Sequence, residues 1–230
     1  MTNRAFVTAT LLAAVALCVH GLSGREAAAG PQSNAARYTC LQVIGFSQTA
    51  NYYSEAPDFE MAVDNSRWQL LWNNGASVNL WANPNYGGWS RPLFSPCAGN
   101  SEAPDRVLLH ISGASGEDVS AWARDISNAI ATIRQKIPTA RQIILQPVIG
   151  GPNGQQCPLP GGGFVRASVQ HPYIVQAIKR VVSTAGAGSV VTGMAPQVRS
   201  CDDYAPDIGH LAPAAKGPIG KLIGAFYKNF

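Results

Sequence analysis

Short apolar runs alternate with longer amphipathic stretches along this chain. The runs are residues 41–45 (LQVIG), 68–72 (WQLLW), 107–111 (VLLHI), 142–146 (QIILQ) and 189–192 (SVVT). Each is brief and nearly uninterrupted by polar residues, the pattern of a strand buried on both faces of a parallel sheet. Trp122, Ile126, Ile130, Ile133 and Ile137 recur at three- and four-residue steps and predict a helix ended by Pro138. His171-Pro172 is expected to open a second helix carrying Ile174, Val175, Ile178, Val181 and Val182. A last helix is expected from near Pro213, with Ile219, Leu222, Ile223 and Phe226 as its apolar residues. Strands alternating with helices predict an α/β fold whose mostly parallel, five-stranded sheet is covered on both sides.

Two stretches interrupt this rhythm. Residues 73–100 are rich in Asn, Gly, Pro and Trp, and residues 150–163 (GGPNGQQCPLPGGG) are nearly all turn formers. Both follow expected strands. Loops at the carboxyl ends of strands build the site in an open parallel sheet, so both are candidate substrate loops.

Composition narrows the class. The chain has 230 residues, 46% hydrophobic and 13% charged, which suits a lightly charged globular domain. Its formal net charge is +4 without any long Lys/Arg run, so nucleic acid is not expected as a partner. Arg4 followed by the apolar residues 5–19 and small residues up to Ala29 reads as a secretory signal peptide and linker over residues 1–29. Cleavage is expected between Gly21 and Gly30, leaving a single domain over 30–230. The apolar stretch is shorter than the roughly 20 residues a membrane span needs, so no stable span is expected after signal removal. Beyond the signal remain Cys40, Cys97, Cys157 and Cys201, an even set that points to two disulfides in a secreted or periplasmic protein, with three pairings open. No CxxC spacing occurs and the histidines are scattered, so no metal site is expected.

The chemistry-bearing residues lie at the two ends of the domain. Asp207-Ile208-Gly209-His210 sets a carboxylate and an imidazole three residues apart just before the last helix. There the carboxylate can fix one ring nitrogen while the other takes a hydroxyl proton. Ser47, in IGFSQT, ends the first strand, and Gly45 allows tight backbone geometry before it. Asp202 and Asp203 are alternatives to Asp207 as the orienting acid, and Ser115 in GASG is a rival nucleophile. His110 reads as a core histidine of its strand and His171 as a turn residue.

An early Ser after the first strand, a Gly block near residue 75 and a late DxxH together resemble the SGNH (GDSL-type) hydrolases. The resemblance covers roughly residues 38–228. It implies a flavodoxin-like, three-layer α/β/α fold and ester hydrolysis through an acyl-enzyme, without metal or organic cofactor. By the same resemblance Ser47 is the nucleophile, His210 the general base and Asp207 its orienting partner, with the backbone N–H groups of Ser47 and Gly75 as oxyanion donors. Two departures stand out: Phe46 occupies the place of the family's Asp before the Ser, and SGASGED follows the third strand where the family has an Asn. Ser115 is the positional substitute for that Asn as a third oxyanion donor.

Trp72, Trp81, Tyr86 and Trp89 flank the Gly75 loop; Trp81, Tyr86 and Trp89 are expected to contact substrate, with ordinary packing of a long loop as the equal alternative. The expected function is an exported serine esterase acting on a small-molecule or glycan ester, such as an acylated carbohydrate or lipid. The missing Asn supports an alternative, a non-catalytic glycan- or peptide-binding module on the same fold.

Overall fold

Strand β1 (Leu41–Gly45) is buried at every position and pairs in parallel on both sides, with β2 (Trp68–Trp72) and with β3 (Arg106–Ile111). Beyond β3 the sheet continues in parallel through β4 (Gln142–Pro147) and the short β5 (Val190–Thr192). The order β2-β1-β3-β4-β5 is the flavodoxin-like winding, which reverses direction between β1 and β3 and opens a crevice at their carboxyl ends. The computed structural model describes residues 38–229; the expected signal segment and linker lie outside the described residues.

The helices form two groups. On one face α1 (Ser47–Tyr53) and α2 (Asp58–Ala62) pack against α6 (Pro213–Tyr227). On the other, α4 (Val119–Lys136) packs between the short α3 (Val78–Trp81) and α5 (Arg166–Thr184). Together with the sheet they make the three layers of an α/β/α fold.

Local chemistry explains the helix limits. The Asp118 carboxylate caps α4 by accepting from the N–H groups of Ser120 and Ala121. Pro138 forces Ile137 out of helical geometry at the other end. Between these limits Trp122, Ile126, Ile130 and Ile133 are all buried. α6 begins at Pro213, where the missing N–H costs nothing.

Helix α5 differs from expectation: it starts at Arg166, and Pro172 lies within it. Proline there removes the bond to the Ser168 carbonyl, but burial of Ile174, Ala177, Ile178 and Val181 carries the helix through.

Two disulfides close the fold, Cys40–Cys97 and Cys157–Cys201. They span 57 and 44 residues, so the chain-entropy relation assigns each about 4 kcal/mol of stabilisation. The first links the start of β1 to the segment after β2. The second ties the turn-rich loop after β4 to residue 201, six positions before Asp207. Among the described residues no helix is long and apolar enough to cross a membrane.

Candidate active site

The crevice at the carboxyl ends of β1 and β3 holds the residues singled out in the sequence. Ser47 is the first residue of α1, immediately after β1 and Phe46. The turn is tight because Gly45 lies against Thr49: a Cβ on residue 45 would meet Thr49 Oγ1 at 2.0 Å. Thr49 Oγ1 accepts from the Phe46 N–H at 3.0 Å and shares a 2.7 Å hydrogen bond with Nδ1 of His110, buried on β3. Burial lowers the His110 pKa to about 3, so the ring stays neutral as a prop behind the turn.

Asp207, His210 and Ser47 form a continuous hydrogen-bonded row. Asp207 Oδ2 is 2.7 Å from His210 Nδ1, and His210 Nε2 is 2.8 Å from Ser47 Oγ. The Asp207 contact places the ring proton on Nδ1, which leaves Nε2 to accept from the Ser47 hydroxyl. Asp207 Oδ1 also accepts from the N–H groups of Gly209 and His210, each at 2.9 Å. Partial burial pushes the Asp207 carboxyl pKa up, but the Gly209 N–H and the two His210 contacts outweigh it and hold the pKa below its ordinary value. The carboxylate therefore stays charged where it can orient the imidazole. Asp203 instead accepts from the N–H groups of Arg199 and Ser200, and Asp202 bonds with Ser200, so neither is the partner of His210.

Ser47 and His210 open onto a cavity of about 250 Å³. Its walls include Gly75 and the segment Ser112-Gly113-Ala114 after β3, brought together by a 2.7 Å bond from the Val78 N–H to the Ser112 carbonyl. The N–H groups of Ser47 and Gly75 make no hydrogen bond among the described residues, so both are available to a ligand oxygen.

Other expected site residues lie elsewhere. Ser115 is outside the cavity lining, and its hydroxyl donates to Asp125 Oδ2 at 3.2 Å. The capping turn into α4 carries it away from the crevice, which corrects its assignment as an oxyanion donor. Trp81 is fully buried and packs edge-on against Tyr86 and Trp89. The Tyr86 hydroxyl accepts from Asn73, and the Trp89 indole donates to the Asn83 carbonyl. The three rings form the packed interior of their own loop, and none lines the Ser47–His210 cavity. His171, expected in a turn, is buried within α5, where burial lowers its pKa to about 4.

Gln48, Gln170 and Arg166 of the cavity wall were not singled out from the sequence. Gln48 is buried and donates to the Gly209 carbonyl at 2.6 Å while accepting from the Ile149 N–H at 2.8 Å. Gln170 crosses from α5 to donate to the Gly113 carbonyl at 2.8 Å. Arg166 opens α5 at the rim, exposed and without an ion pair among the described residues. A Gln on the buried side of an otherwise polar segment was the one available signal for the first two.

No family model and no curated protein matches the chain. Among solved structures, it is similar to a salicylyl-acyltransferase, SsfX3, from a tetracycline biosynthetic pathway, with 12% sequence identity and a TM-score of 0.44. The alignment covers 82% of this chain and 53% of that one, so the chain spans about half the length of that neighbour.

Proposed function

We propose that this protein is an exported serine esterase of the SGNH type that hydrolyses small carboxylic esters through Ser47, His210 and Asp207. The observation that carries the reading is the unbroken row from Asp207 through His210 to Ser47, open to a cavity beside two backbone N–H groups that have no partner among the described residues. The Ser47 oxygen attacks the ester carbonyl as His210 Nε2 takes its proton. The oxygen of the tetrahedral adduct becomes negatively charged and is held by the N–H groups of Ser47 and Gly75. His210 then gives its proton to the departing alcohol oxygen, leaving an acyl-Ser47. Water, activated by the same nitrogen, releases the acid and restores the hydroxyl.

Export is supported by the apolar N-terminal stretch of the sequence and by the two disulfides, which persist in oxidising compartments.

The direct test is hydrolysis of p-nitrophenyl acetate by the mature protein and by Ser47→Ala. Turnover by the wild type and its loss in the variant are expected. Equal rates in the two proteins reject Ser47 as the nucleophile, and an inactive wild type rejects the esterase reading for this substrate class.

A further inference from the structure

Ser47 and His210 form a wall shared by two cavities. One is the 250 Å³ cavity that contains Gly75 and the loop after β3. The other, about 410 Å³, opens toward α1 and α6 and is lined by Trp72, Asn74, Asn51, Glu55 and Lys216. We infer that this second cavity is the alcohol subsite and takes a polyhydroxylated alcohol, a sugar ring, while the first cavity takes a short acyl group. The inference rests on the esterase reading above.

The sides follow from the donors. A carbonyl attacked by Ser47 must turn its oxygen toward the N–H groups of Ser47 and Gly75, and Gly75 lines only the first cavity. The acyl substituent is drawn to that side, where Phe46, Val148, Ala167 and the exposed Ile208 give apolar surface beside the polar Gln48, Arg166 and Gln170. Its volume of about 250 Å³ lies below the roughly 300–1,000 Å³ of pockets for drug-sized ligands, which matches a short acyl chain. The leaving oxygen must lie within reach of His210 Nε2, and the alcohol it carries then projects into the cavity on the far side of the Ser47–His210 pair.

The second cavity has the chemistry of a polyol site. Half-buried Trp72 ends β2 and lines this cavity. The Asn74 carboxamide is exposed and has no hydrogen-bond partner among the described residues. Across from them Lys216 pairs with Glu55, which also accepts from Asn51 Nδ2 at 3.1 Å. The Lys216 ammonium keeps donors beyond that pair. A hydrocarbon alcohol would strip water from these groups and return no hydrogen bonds. A sugar returns them through its hydroxyls and lays its C–H face on the indole. Trp81, Tyr86 and Trp89 line neither cavity, whereas Trp72 lines the second one together with Ser47.

The experiment varies each half of the ester separately. With acetyl fixed, kcat/KM for a mono-O-acetylated methyl glucoside should exceed that for butyl acetate at least tenfold. With p-nitrophenol fixed, acetyl should exceed octanoyl at least tenfold. Trp72→Ala should lower the ratio of sugar acetate to butyl acetate at least tenfold, and Asn74→Ala, on an exposed loop, should lower it about threefold. Methyl glucoside titrated into Ser47→Ala should change its tryptophan fluorescence saturably, with the change lost in Ser47→Ala/Trp72→Ala. Butyl acetate equal to the sugar ester, a ratio insensitive to both substitutions, or no saturable fluorescence change overturns the alcohol subsite. Retained hydrolysis in Ser47→Ala rejects Ser47 as the nucleophile, and a wild type inactive on every ester overturns the esterase reading instead.

Discussion

Gln48 and Gly209 are joined by a 2.6 Å hydrogen bond, and each is the chain neighbour of a member of the hydrogen-bonded row, Ser47 on one side and His210 on the other. The bond spans 161 positions of sequence and sets the Ser47 segment against the His210 segment. The same carboxamide accepts from the Ile149 N–H, so one buried side chain ties together the ends of β1, β4 and the segment before α6. Gln48→Leu keeps the bulk but leaves the Gly209 carbonyl and the Ile149 N–H without partners. Each buried polar group left unsatisfied costs about 1–3 kcal/mol. The expected result is a lower urea midpoint and a kcat reduced at least tenfold on p-nitrophenyl acetate. Unchanged values of both would remove Gln48 from the positioning network.

Gly209 has a φ of 132° and lies so close to α5 that an added Cβ would be 2.5 Å from the Ala167 Cβ. Gly209→Ala therefore meets two obstacles, a backbone region that L side chains avoid and a steric collision. The backbone strain alone is on the order of 1–3 kcal/mol. Adding Ala167→Gly removes the collision but leaves the strain. Thermal melts should show a large loss in the single variant and partial recovery in the double variant. Full recovery would assign the glycine to packing alone, and no loss would show that the segment shifts freely.

The parts of this molecule legible in the sequence are those set by local pattern. Runs such as LQVIG and QIILQ read as strands because a parallel sheet covered on both faces needs apolar side chains in both directions. Asp207 and His210 were readable as a pair because three residues of one turn bring them together. α1 was not readable: SQTANYY has no apolar stripe, and its polar residues are buried against partners far away in the chain. Gln48 bonds across 161 positions and Gln170 across 57, distances that no periodicity encodes. The aromatic loop misled because large rings near a crevice serve equally as packing. Trp81 is fully buried by its own neighbours Tyr86 and Trp89, whereas Trp72, fixed at the end of β2, keeps an open wall.

His110 and His171 make the fold sensitive to mild acid. Both are buried, and burial lowers their pKa values from 6.5 to about 3 and about 4. The unfolded chain then binds more protons than the folded one below pH 6.5, so stability rises with pH through this window. Their contribution is fully present above pH 6.5 and is lost as pH falls toward 4 for His171 and toward 3 for His110. Each group contributes a slope of up to about 1.4 kcal/mol per pH unit where it differs between the states. Asp207 and Asp105 have lowered pKa values, so they add losses of the same sign once pH drops below the ordinary carboxylate range. Urea unfolding between pH 7 and pH 4 should show a steep decline, made shallower by about one proton in His171→Gln. A flat profile from pH 6.5 to pH 4 would mean that the two rings protonate without unfolding.

Gln170 holds the segment that Ser115 leaves. With the Ser115 hydroxyl turned onto Asp125, the Ser112-Gly113-Ala114 wall is held by the Gln170 bond to the Gly113 carbonyl and the Val78 N–H bond to the Ser112 carbonyl. The Gln170 amide has a second N–H, and the side chain lines the cavity that contains Ser47 and Gly75. Two substitutions separate the roles. Ser115→Ala removes only the contact with Asp125 and should leave kcat on p-nitrophenyl acetate within about twofold. Gln170→Ala should lower kcat by roughly 10–10³-fold with little change in KM under the proposed mechanism, because a wall beside the adduct oxygen acts on the transition state more than on the bound ester. A parallel loss of affinity for a phosphonate transition-state analogue would tie the effect to the charged adduct. If Ser115→Ala proved the more damaging of the two, the wall would have to be rebuilt around the hydroxyl, and the placement of Ser115 outside the cavity would be wrong in solution.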